Sequence, residues 1–106
     1  MRLFLYGTLL RPALLTRFAG RRLASEPAML DGWRRVRLRG TPYPTLQRAP
    51  GHVAGAVVNA GAAAVRRLSA YEGVRYRLER VTVDTARGKL TAHTWIAAAV
   101  THHPWP

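Results

Sequence analysis

The sequence predicts a single α+β domain of about six or seven short strands and two short helices. Three observations predict it. Short apolar or alternating runs recur along the chain, each closed by Gly, Pro or Asp-Gly. Two stretches instead repeat their apolar residues at helical spacing. The length, 106 residues, suits one core that buries roughly two-thirds of the unfolded chain's surface, and leaves no room for two.

Taken in order, Arg2 to Tyr6 (RLFLY) reads as a buried first strand that stops at the Gly7-Thr8 turn. Arg11 to Ala19 follows as a short helix. Its Leu14, Leu15 and Phe18 share a face, Pro12 suits the first turn, and Gly20 suits the position just past the end. Met29 to Arg39 contains Asp31-Gly32 between strand-like residues and is expected to form a hairpin. Gly40 to Pro44 (GTPYP) is a loop, and a second hairpin is expected from Thr45 to Arg48 and His52 to Val58 about Ala49-Pro50-Gly51. Ala62 to Tyr71 is the clearest helix, ending at Gly73 and delivering Glu72 to its C-terminus. Arg77 to Asp84 and Lys89 to Ala97 alternate about the Thr85 to Gly88 turn as a long antiparallel pair. His102 to Pro106 is expected to be an irregular tail.

Composition narrows the function classes. Hydrophobic residues at 48% against 21% charged give a globular rather than a disordered balance. There is no cysteine, which excludes disulfides, a zinc ribbon and a thiol nucleophile. No run is long enough to span a bilayer and the N-terminal segment is too short and polar for a signal peptide, so a cytoplasmic location is expected. The net charge of +12 rests on arginine, with Lys89 the single lysine. It favours anionic small molecules as well as nucleic acid. Arg35, Arg37 and Arg39 would share one face of an extended chain, as a solvated strand face or an anion-binding surface.

Glu72 is the residue that breaks a local rule. Unpaired carbonyls make a helix C-terminus partly negative, so a carboxylate there is mildly unfavourable. Burial against Tyr71 and Tyr76 would raise its pKa toward a value useful for proton transfer, while Arg75 or Arg77 would lower it. The other candidate is Tyr6-Gly7-Thr8-Leu9. A strand ending in Gly lets the next amides converge on one concavity, which suits an anion; the plainer reading is a tight turn. His52, His93, His102 and His103 lack metal-ligand spacing, so no metal is expected. Ser25 and Ser69 lack a nucleophile elbow, and no phosphate loop or dinucleotide fingerprint exists, so no cofactor is expected either.

The order of these features, YGTL after the first strand, then Gly40-x-x-Tyr43-Pro44, then Leu68-x-x-Tyr71-Glu72-Gly73-x-x-Tyr76-x-x-x-x-Val81, resembles the gamma-glutamylcyclotransferase-like family from residue 3 to about residue 97. The resemblance implies a small mixed β-barrel with short helices at its side. It also implies a cavity between the YGTL turn and the glutamate, with Tyr6, Gly7, Thr8 and Leu9 binding substrate and Glu72 accepting the proton. Tyr76 is expected to line the cavity or polarise the oxyanion. Ser69-Ala70 stands where relatives often carry an aspartate, and Arg11 to Ala28 is hard to match, so the resemblance says least about substrate identity. The implied reaction closes a gamma-glutamyl amine or amino acid to 5-oxoproline. Three competing readings remain: a non-catalytic binding or regulatory protein on the same fold, a nucleic-acid module resting on charge, and a deacylase acting on a gamma-glutamylated intermediate.

Overall fold

The computed structural model describes residues 1–97; the expected tail from His102 to Pro106 lies outside them. Five strands close a barrel in the order β1-β3-β2-β4-β5. They are β1 (Arg2–Leu5), β2 (Ser25–Arg37), β3 (Pro44–Asn59), β4 (Tyr76–Thr85) and β5 (Gly88–Ala97). Neighbours pair antiparallel except β1 and β5, which run parallel and close the barrel at Leu3 and His93. That single parallel seam makes the barrel mixed.

Two helices pack on one side, α1 (Pro12–Ala19) and α2 (Ala62–Glu72). Strand β1 explains the arrangement. Phe4, with Tyr6 just beyond the strand, joins a core with Leu30, Trp33, Leu46 and Val83, while Leu3 and Leu5 join a second core with Leu15, Ala64, Leu68 and Trp95. A strand covered on both faces reads as a continuous apolar run, as RLFLY does. Helix α1 ends where expected: Gly20 takes φ +80° and its amide bonds the Thr16 carbonyl.

The two expected hairpins are not formed, which is why the described residues form five strands rather than six or seven. Gly32 does take the positive φ of a turn glycine, +83°, yet the chain does not reverse there. Asp31 pairs with His52 and Trp33 with Arg48, so Gly32 lies opposite the unpaired residues Ala49, Pro50 and Gly51. Asp-Gly and Pro-Gly therefore form the two sides of one bulge in a single long β2–β3 hairpin. The reversal comes instead at residues 38–43, where Leu38 and Tyr43 are bridged by a 2.8 Å backbone bond. This brings the Tyr43-Pro44 end of the loop to the place where β1 ends.

Candidate active site

A cleft of about 120 Å³ opens where β1 ends, walled by the Tyr6–Leu9 segment, Tyr43 and Pro44, and the end of α2 with Tyr76 beyond it. All six residues singled out from the sequence, Tyr6, Gly7, Thr8, Leu9, Glu72 and Tyr76, line it. They come from three separate parts of the chain. Strand β1 leaves its ladder after Leu5, and Thr8–Leu10 forms one 3₁₀ turn before α1 begins. Helix α2 ends on Glu72 because Gly73, at φ +86°, turns the chain out.

Glu72 is half-buried, and burial pushes its carboxyl up to about 7 from an ordinary 4.5. Arg75 and Arg77, which could have lowered it, do not: desolvation is the cause that acts. Among the described residues Glu26, Glu79 and Asp84 are in surface ion pairs, and Glu72 is in none. It is also the single acidic residue lining the cleft. The site thus holds one carboxyl poised to gain or lose a proton near neutrality.

Around it the hydroxyls are tied. Thr8 Oγ1 and Tyr71 Oη lie 2.8 Å apart, linking the turn to α2. The Tyr6 hydroxyl donates to the Trp95 carbonyl, and burial pushes its pKa far up. The Tyr76 hydroxyl donates to the Pro44 carbonyl at 2.8 Å, and burial, with Glu72 nearby, pushes its pKa up to about 12. Pro44 in turn sits over Gly7: a Cβ on Gly7 would come within 3.2 Å of Pro44 Cγ. A side chain at Gly7 would therefore press on the Pro44 ring, which would have to give by a few tenths of an ångström.

Sequence reasoning missed Trp95 and the cleft-facing side of Tyr71 as parts of the site. Trp95 lies in an alternating strand whose register alone brings it to the cleft. His52 and His93 lie away from it, and the described residues contain no group of three or more metal-ligating side chains.

The sequence matches the family described as gamma-glutamyl cyclotransferase, AIG2-like, over residues 3–105. It is 33% identical over 101 residues to Protein AIG2 C of Arabidopsis thaliana, covering 88% of this chain and 60% of that protein. Among solved structures, the solution structure of an Arabidopsis thaliana protein superposes with a TM-score of 0.80 at 29% identity, over 91% of this chain and 61% of that one. The chain thus spans about three-fifths of the length of these relatives. A solved gamma-glutamyl cyclotransferase shares the fold with a TM-score of 0.79, at 20% identity over 94% of this chain and 68% of that one. Fold, sequence and the cleft between the YGTL turn and the YEG glutamate agree: the chain belongs to the gamma-glutamyl cyclotransferase, AIG2-like family.

Proposed function

We propose that the protein cyclises a gamma-glutamyl amine or amino acid to 5-oxoproline, with Glu72 as acid and base. The observation that carries this reading is the half-buried Glu72 carboxyl, raised to about 7, facing the Tyr6–Leu9 turn across one cleft. Family membership supports the reaction class.

The Glu72 carboxylate takes a proton from the substrate α-ammonium. The freed amine attacks the side-chain carbonyl carbon, forming the ring C–N bond and a tetrahedral oxyanion. The bond to the leaving nitrogen then breaks as Glu72 returns the proton to it. The ring nitrogen, which still carries two hydrogens after the attack, gives up one as a proton that leaves on the released amine. No atom enters or leaves, so the products are 5-oxoproline and an ammonium form of the amine or amino acid. The nucleophile belongs to the substrate, and the protein's work is to hold it folded and to move protons from the attacking to the leaving nitrogen. The amides of the Tyr6–Leu9 turn hold the α-carboxylate. Tyr76 lines the opposite wall; its proton is committed to Pro44, so it supports the loop rather than donating to the oxyanion.

Purified protein and its Glu72→Gln variant, incubated with glutathione and a panel of gamma-glutamyl amines and amino acids, are assayed for 5-oxoproline. Product from the wild type alone supports the reading and names the leaving group. Absence of product from every substrate would replace it with a ligand-binding protein on the same fold.

A further inference from the structure

Arg35 does not behave as a member of the solvated arginine run to which its spacing assigns it. It is half-buried, and its Nε donates to the Tyr6 carbonyl at 2.9 Å while Nη2 donates to the Ala54 carbonyl. The β1–β3 ladder ends at Leu5 and Ala56, so Tyr6 is the first residue to leave it. Its carbonyl has lost the strand partner it would otherwise have, and the Arg35 fork supplies one while tying it to β3.

The peptide joining Tyr6 to Gly7 is trans, so its carbonyl and its N–H point in opposite directions. Gly7 lines the cleft and Arg35 does not. A carbonyl held toward Arg35 therefore turns the Gly7 amide toward the cleft. We propose that Arg35 is a positioning residue for the substrate-carboxylate cradle, fixing the Tyr6 carbonyl so that the Gly7 amide is presented to the ligand. This rests on the cradle of the preceding section, but it does not require turnover.

A ligand pair that differs only in the carboxylate separates positioning from stability. Binding of 5-oxoproline and of pyrrolidin-2-one, its analogue without the carboxylate, is measured by NMR titration for wild type, Arg35→Met and Arg35→Lys, with melting temperatures alongside. In wild type 5-oxoproline binds the tighter. In Arg35→Met that preference falls roughly tenfold or to nothing, with pyrrolidin-2-one little affected. Arg35→Lys, whose ammonium cannot reproduce the two-carbonyl fork, keeps part of it and provides the readout if the methionine variant does not fold.

Loss of affinity for both ligands in equal proportion, or an undiminished preference in Arg35→Lys despite a lower melting temperature, overturns the positioning role. A wild type that shows no preference for the carboxylate overturns the role together with the cradle. A preference that depends on Arg35, in a protein that makes no 5-oxoproline from any substrate, upholds the role while rejecting the cyclotransferase reading.

Discussion

Desolvation is what raises the Glu72 carboxyl, and it costs the folded state something. A folded pKa of about 7 against an ordinary 4.5 means that the native protein holds a proton the unfolded chain has released. Stability therefore falls as pH rises from about 4.5 to 7, and the loss persists above that range. Glu72→Gln removes the penalty: at pH 8 the variant should be more stable than wild type by up to a few kcal/mol, with the difference vanishing below pH 4.5. Urea titrations at pH 4 and pH 8 check this. The same variant should lose turnover by ~100-fold or more, and wild-type kcat/KM should climb through pH 7 as the carboxylate forms. A flat profile there would remove Glu72 as the base. Gly7→Val makes a different demand, since its first side-chain carbon already meets Pro44 at 3.2 Å; KM should rise several-fold, and an unchanged KM would remove the cradle. Glu72 and the YGTL turn were legible because each is a short contiguous signal. The roles of Pro44, Trp95 and Arg35 were not, since each depends on a contact between residues far apart in the chain.

At the level of elements, helices and the β4–β5 pair are legible within a residue or two because their patterns are local and unbroken. The β2–β3 hairpin is not, and the reason is chemical. Asp31-Gly32 and Pro50-Gly51 signal a positive φ, which both glycines have, +83° and +128°. A bulge and a turn make the same demand on those residues, and only the pairing partner decides whether the chain reverses. A further glycine, Gly55 in β3, carries a constraint invisible to local reading. A Cβ there would lie 2.2 Å from the Leu5 carbonyl oxygen and 2.7 Å from Phe4 Cζ. Backbone cannot yield cheaply, so Gly55→Ala should destabilise the fold by roughly 3 kcal/mol and lower the melting temperature by about 10 °C or more. A melting temperature within a degree or two of wild type would show that β1 and β3 are free to separate. Gly32→Ala strains a positive φ but meets no neighbouring atom, so its cost should be smaller, about 1 kcal/mol.

Over the whole molecule, a net charge of +12 surrounds a cleft whose lining, among the described residues, contains a carboxyl and no basic side chain. The positive field is therefore a property of the surroundings and acts at a distance, on encounter rather than on the bound geometry. Its effect should depend on the substrate's net charge. A gamma-glutamyl derivative of a neutral amino acid carries one net negative charge at pH 7, whereas a gamma-glutamyl derivative of an uncharged alkyl chain is a zwitterion with none. Added salt shortens the reach of the field from about 10 Å at 0.1 M to about 3 Å at 1 M. The kcat/KM of the anionic substrate should consequently fall a few-fold between these conditions, while that of the zwitterion stays nearly level. KM measured for both across a salt series, with kcat followed separately, is the check. Equal slopes would mean that the arginines do not steer substrate, and the charge would then need a partner elsewhere on the surface, for which binding of single-stranded nucleic acid over the same salt series is the direct assay.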